Sequence, residues 1–245
     1  YQTMKKYIVV LFISLVLLTY NLQAQDNYKR FHIGPKIGLL ISDVKYNDFY
    51  NPTSSEQYNY IAYYQFAEGG ISYTNTNLNY SIGLAFEYDI VPIKKFGVSI
   101  QIVPQYTRKG CWYASETTSG LTGNIYMHYV EFPMELRGKC RISKNNNLVV
   151  GFGPTFNIGI KQKNKSHRPV EDEIQQFSQE LQFGDGDSGN GLYRLDIGAN
   201  AILGIEMFRG FRFDLSYNIP FRNLSIDKSK SVKHFVFAAS IGYMF

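Results

Sequence analysis

Residues 78–90 read LNYSIGLAFEYDI. Leu78, Tyr80, Ile82, Leu84, Phe86, Tyr88 and Ile90 take every second place, and Asn79, Ser81, Gly83, Ala85, Glu87 and Asp89 fill the alternate ones. A helix spaces its apolar residues three and four apart, so strict alternation marks a strand with one apolar face. The run is also long. Soluble strands average about 5–6 residues, whereas a tilted membrane-spanning strand needs about 9–11 within the hydrocarbon.

Seven further segments repeat the pattern. Their apolar faces are Phe31, Ile33, Pro35, Ile37, Leu39 and Ile41; Phe96, Val98, Ile100, Ile102 and Tyr106; Val130, Phe132, Met134 and Leu136; and Leu148, Val150, Phe152, Phe156, Ile158 and Ile160. The last three are Leu195, Ile197, Ala199, Ala201, Leu203 and Ile205; Phe211, Phe213, Leu215, Tyr217 and Ile219; and Phe235, Phe237, Ala239, Ile241, Tyr243 and Phe245. The connectors alternate in length. Val91–Lys95, Ile142–Asn146 and Phe208–Gly210 are short, whereas Asp43–Asn77, Lys109–Tyr126, Gln162–Gly191 and Arg222–Lys233 are long. Short turns at one rim and long loops at the other are the layout of outer-membrane barrels. The expected fold is all-β: an eight-stranded antiparallel transmembrane β-barrel.

A soluble eight-stranded barrel would turn the apolar face inward, and periodicity alone is silent on that choice. The second face favours the membrane. It carries Lys36, Glu87, Asp89, Glu131, Glu135, Arg137, Lys139, Arg194, Asp196, Glu206, Arg212 and Asp214, interleaved with glycines. Small residues and opposite charges pack a narrow lumen as paired ions, whereas glycines on a soluble exterior would weaken the strands for no gain. Aromatics also gather near the segment ends, as interfacial girdles do. Pro35, Pro104, Pro133 and Pro154 fall inside the segments, where each deletes a ladder hydrogen bond; bulges or bends are the expected accommodation.

Composition agrees. The chain has 245 residues, 20 Tyr and 18 Phe against one Trp, and a charged fraction of 18%, below the roughly 25% of soluble domains. At the front, Lys5-Lys6, the apolar run Tyr7–Leu18 and Ala24-Gln25 follow the order of a secretory signal peptide, with cleavage expected after Ala24 and Met4 as the expected initiator. The expected division is residues 1–24 as signal peptide and 25–245 as barrel. An uncleaved anchor is the rival, and the run is short for a spanning helix. Removing Lys5 and Lys6 lowers the net charge from +5 to +3, too little to argue for nucleic acid.

Several stretches go beyond class. Gly34-Pro-Lys-Ile-Gly38, Tyr106-Thr-Arg-Lys-Gly110, Tyr129-Val-Glu-Phe-Pro-Met134 and Gly151-Phe-Gly-Pro154 are the first four. Arg194-Leu-Asp-Ile-Gly198, Gly204-Ile-Glu206 and the closing Gly242-Tyr-Met-Phe245 complete the set. In these the chain resembles the PorT-like outer-membrane β-barrel family of Bacteroidetes, over nearly all of residues 30–245 except the long loops. The resemblance implies an outer-membrane location and a link to type IX secretion. It also implies that the barrel-assembly machinery reads the terminal strand through Tyr243 and Phe245.

Chemistry is sparse. The residues two beyond His32, His128, His167 and His234 are Gly34, Val130, Pro169 and Val236, so the His-x-Ser pattern of lipid A deacylase barrels is not met. A triad assembled from different strands stays open, but hydrogen-bonded lumen or rim histidines are the plainer reading. Asp185-Gly-Asp187-Ser-Gly-Asn190 lacks the sixth-place Gly and closing Glu of an EF-hand. Cys111 and Cys140 fall near opposite rims, too far apart for a disulfide. No catalytic residue, cofactor or metal is expected. In the first loop Tyr58, Tyr60, Tyr63 and Tyr64 suit a recognition surface; alternatively Tyr58–Phe66 and Ile71–Thr76 extend the barrel as a hairpin. In the third, acidic Glu171-Asp172-Glu173 ahead of Ile174, Phe177 and Leu181 predicts a short helix over the mouth.

Three functions follow from this. The first is a closed barrel whose charged lumen is plugged, serving as a structural, surface-interaction or secretion-accessory protein. The second is a narrow diffusion pore, and the third a lipid or peptide hydrolase. Membrane lipids and secretion or surface proteins are the partners considered.

Overall fold

The structure, a computed structural model, describes residues 30–48, 71–115, 122–170, 173–181, 183–184, 192–208, 210–226 and 230–245. The strands are β1 (Phe31–Asp48), β2 (Ile71–Val91), β3 (Phe96–Ile102), β4 (Gln105–Ser115) and β5 (Thr122–Ser143). Then come β6 (Asn146–Val170), β7 (Glu173–Leu181), β8 (Leu195–Met207), β9 (Phe211–Pro220) and β10 (Lys230–Tyr243).

β1 pairs with β2 on one side and β10 on the other, and the sequence of antiparallel pairings through β5, β6, β8 and β9 returns to β10. β3 and β4 are two pieces of one stave, both lying between β2 and β5. Among the described residues the ring therefore has eight staves, with β7 paired to β6. Closure is what makes such a sheet viable in lipid, because it leaves no unpaired edge along the spanning part.

Burial assigns the faces. Leu78, Ile82, Ile37, Leu39, Leu136, Phe152 and Leu203 are among the exposed large apolar residues, while Glu87, Arg137, Lys139 and Asp214 are buried. An apolar exterior around a charged interior is the inverse of a soluble barrel and matches a lipid-facing wall. Tyr80 and Tyr88 mark the ends of the band on β2, about 27 Å of strand apart.

The prolines are accommodated without a shift of register. Register is continuous past Pro35, Pro133 and Pro154. Pro104 interrupts its stave between β3 and β4 without shifting the pairing. The register shifts lie elsewhere, between Asp89 and Val91, Ile71 and Tyr73, Thr76 and Tyr80, His128 and Tyr129, and Arg141 and Ser143. Flanking groups keep the Pro104 region bonded: Val103 N donates to Pro133 O at 3.0 Å and Leu84 N to Pro104 O at 3.1 Å. At the Thr76–Tyr80 shift, Ser42 Oγ accepts from Gly110 N at 2.9 Å and donates to Gly110 O, supplying partners the ladder does not.

The long connectors are shorter than the sequence suggested because the strands run on past the apolar band. β1 continues to Asp48, β2 begins at Ile71, β4 reaches Ser115 and β5 starts at Thr122. The helix expected after Pro169 is replaced by β7, paired with β6 from Val170↔Glu173 to Gln162↔Leu181. A 25-residue β6 presents an open edge above the shorter β8, and the chain that follows satisfies it. Ile71–Thr76 do extend the barrel, paired with β4. Tyr58, Tyr60, Tyr63 and Tyr64, the signal region and Asp185–Asn190 lie outside the described residues.

Candidate functional site

The lumen gathers titratable groups from several strands, and it has two tiers. Near the short-turn rim, Glu87 on β2 lies at the centre of a brace. Its carboxylate takes a bidentate fork from Arg212 on β9, at 2.5 and 2.9 Å, and a bond from Gln101 on β3 at 3.1 Å. Arg137 on β5 reaches it at 3.4 Å, and Lys139 forms a further ion pair with it. Arg137 also donates Nη2 to Asp214 on β9 at 2.7 Å, and Lys36 on β1 pairs with the same carboxylate at 2.8 Å. Glu206 on β8 binds Arg212 at 2.8 Å and Lys139 at 3.4 Å. Asp89 pairs with Lys139 at 3.3 Å and His32 at 3.2 Å.

These bonds cross the lumen, joining β2 and β5 to β9 through space that the ladders do not bridge. The glycines on this face leave room for them: a Cβ on Gly204 would stand 2.2 Å from Asp214 Oδ1. Forked Arg–carboxylate pairs fix geometry as well as charge.

Above the brace is an internal cavity of about 40 Å³, lined among others by Lys36, Ser81, Gln105, Glu131, Glu135 and Asn200. It has room for roughly three waters at ~10–15 Å³ each. Glu135 accepts from Asn200 at 2.7 Å, and its other oxygen stands 3.9 Å from Arg137 Nε. Both of those atoms are buried without a hydrogen-bond partner.

The upper tier combines charge with an apolar cover. Lys109 pairs with Glu131, which also accepts from Gln105 at 2.9 Å and Thr107 at 2.8 Å. Asp196 accepts from Asn157 at 3.1 Å. Lys109 lies 5.1 Å from the centre of the Tyr129 ring, and Tyr129 packs on Phe183 at 5.4 Å. Phe183, Leu192, Leu224 and Val232 join Cys111, Ile125, Met127 and Tyr129 in one buried cluster across the long-loop mouth. Main-chain bonds hold the cover: Gly184 N to Leu192 O at 3.1 Å, Tyr193 N to Leu224 O at 2.8 Å and Leu224 N to Val232 O at 2.9 Å. Gly159 makes room for it, because a Cβ there would meet the Phe183 ring at 2.6 Å.

Lys36, Glu87, Glu206, Arg137, Arg212 and Asp214 thus meet in the lower brace; Glu135 lines the cavity, and Glu131 and Asp196 belong to the upper tier. Arg194 stands exposed at the long-loop rim, its carbonyl accepting from Gly159 N at 2.7 Å. Tyr243 and Phe245 stack edge to face at 4.9 Å, and Phe245 N donates to Ile33 O at 3.0 Å, tying the last residue to the first strand.

Lys109 continues the inward parity of Gln105 and Thr107 into what had been read as a loop, so alternation carried further would have found it. Phe183, Leu192 and Leu224 have no such signal, since only tertiary packing turns them inward.

The histidines are spread out. His32 contacts Asp89 and Phe245 O, at 3.2 and 3.3 Å. His128 hydrogen-bonds Tyr106 on the outer wall, and His234 is buried with its ring 6.2 Å from that of Tyr129. Neither Cys111 nor Cys140 is in a disulfide. Their register partners on and beside β5, Ile125 and Cys140 itself, are fifteen residues apart along the strand, roughly 50 Å. Among the described residues no group of three His, Cys, Asp or Glu side chains could hold a metal ion.

An eight-stave ring with an apolar exterior and a charged interior defines a transmembrane β-barrel. Residues 23–225 match the outer membrane protein beta-barrel domain family, and the chain belongs to that family. Similar solved structures include the attachment invasion locus protein Ail of Yersinia pestis, at 16% identity over 89% of this chain and 100% of that one, TM-score 0.36. Neisserial surface protein A is similar at 10% identity over 89% and 98%, TM-score 0.37. OprG of Pseudomonas aeruginosa is similar at 11% identity over 88% and 95%, TM-score 0.40. No curated protein matches the chain.

Proposed function

We propose that this outer-membrane barrel is a closed, non-conducting protein whose role is structural or surface interaction, and not catalysis. The observation that carries the reading is the brace in which Glu87 binds Arg212, Arg137 and Lys139 across the lumen. An eight-stranded barrel has an interior just wide enough for side chains to fill, and paired ions that satisfy one another leave little charge to line water. The apolar cover around Phe183 supports the same reading at the other end. A narrow pore is the rival. Purified protein refolded into a planar bilayer is expected to show no unitary conductance; steady ohmic steps from the wild type would establish the pore instead.

The PorT-like resemblance extends the reading to an accessory role in protein secretion. It also implies export through a signal peptide cut after Ala24 and assembly by machinery that reads Tyr243 and Phe245. Affinity purification of the tagged chain from its native outer membrane tests the accessory role. Stoichiometric secretion subunits, bound to a chain that begins at Gln25, are the expected result. Recovery of the barrel alone would remove it.

A further inference from the structure

The ion network and its cover account for the inside of the barrel. The outer wall carries a second arrangement they do not use. Just above the apolar band, three cationic or imidazole side chains occupy consecutive positions on three adjacent staves. Arg108 on β4 is opposite His128 on β5, and His128 is opposite Lys161 on β6. Each is the outward residue directly above the last apolar one on its strand: Tyr106, Val130 and Ile160 respectively. Adjacent strands lie about 4.8 Å apart, so the three groups bound a patch of headgroup size.

Arg108 is held ready. Its guanidinium lies 4.9 Å from the centre of the Tyr80 ring and 5.0 Å from that of Tyr126. It donates Nη2 to Leu78 O at 3.3 Å, and its Nε is buried without an acceptor. Two aromatic walls fix the plane of a long side chain that would otherwise lose rotamer freedom on binding. Tyr106, whose ring stands 6.2 Å from that of Tyr80, hydrogen-bonds His128 and orients it. Arg forks match phosphate oxygens in geometry and charge.

We propose that Arg108, His128 and Lys161, walled by Tyr80 and Tyr126, form a site on the barrel exterior for the phosphate of an outer-leaflet lipid. The site faces the bilayer and not the lumen, and it begins where the exposed apolar side chains end. A soluble anion would have no reason to meet it at that depth. A lipid brings its acyl chains against Val130, Phe132, Ile158 and Ile160 while its phosphate meets the guanidinium. The proposal concerns the outer wall and stands whether or not the lumen conducts.

Native mass spectrometry of the folded barrel in neutral detergent tests it, with monophosphoryl lipid A and its fully dephosphorylated form as probes. Charge-assisted hydrogen bonds are roughly twice as strong as neutral ones, so the phosphorylated lipid is expected to bind at least about tenfold more tightly. Arg108→Gln with Lys161→Gln should bring the two lipids within about twofold, the heat-modifiable gel mobility showing that the barrel still folds. If that pair fails to fold, Lys161→Gln alone should still narrow the preference. Lys94→Gln with Lys95→Gln, at the opposite rim, should leave it intact. Equal binding of the two lipids by the wild type would overturn the site, as would a preference that survives in the Arg108/Lys161 variant or is lost equally in the Lys94/Lys95 control. Complete displacement by millimolar inorganic phosphate would overturn its assignment to a lipid.

Discussion

Glu87→Gln is expected to lower the unfolding free energy of the barrel by about 3–5 kcal/mol, the usual cost of breaking a buried ion pair by removing one partner. The substitution keeps shape and removes charge. It leaves Arg137, Lys139 and Arg212, all of which contact the Glu87 carboxylate, with Asp214, Glu206, Asp89 and the more distant Glu135 as their remaining anions. The loss comes from the stranded cations and not from a cavity. Urea titration of the refolded protein, followed by heat-modifiable gel mobility, reads it. Glu87→Gln combined with Arg212→Gln should recover part of the loss, because one cation leaves with the anion. Strict additivity of the two single effects would show that they do not act as a unit. A loss below about 1 kcal/mol, the value of an exposed pair, would mean that the brace is hydrated and does not tie the staves together.

That brace shows how far sequence reading reaches in a barrel. Period two assigns inside and outside along every stave, because a one-residue slip would put Glu87 in lipid and Phe86 in the lumen. Lys36, Glu87, Arg137, Arg212 and Asp214 could therefore be named as lumen groups from their parity alone. Which of them meet depends on the stagger between staves. The Arg137–Asp214 contact joins residues 77 positions apart, and no local pattern encodes it.

Glu173–Leu181 form a strand in place of the expected helix for a related reason. Apolar residues at i, i+3 and i+7 fit a helix, but Ile174 and Phe177 also stand opposite Pro169 and Ser166 once β6 offers an edge. The open edge decided, and it exists only because β6 outlasts β8. Arg194 shares the parity of the lumen charges yet stands at the rim, because parity fixes the face and not the height.

On the closed-barrel reading, the two ends of the lumen act as barriers in series, and this sets the second large effect. Phe183→Ala with Leu224→Ala removes the ring and side chain that cover the long-loop mouth, yet the ions around Glu87 still fill the other end. The converse holds for Glu87→Gln with Arg137→Gln, where the cover of Tyr129, Phe183 and Leu224 remains. Neither pair alone is expected to raise bilayer conductance above that of the wild type. The four substitutions together should produce unitary steps, because water then runs from the mouth through the cavity lined by Glu131 and Glu135 to the short-turn rim. Resistances in series predict this non-additivity, whereas a barrel closed at one level would open with one pair. Conductance from the Phe183/Leu224 variant alone would assign the whole barrier to the cover and reduce the lower ions to bracing. Conductance from the Glu87/Arg137 variant alone would do the reverse. Folding of all three proteins is monitored by gel mobility, since a barrel that has lost about 3–5 kcal/mol conducts nothing if it fails to insert.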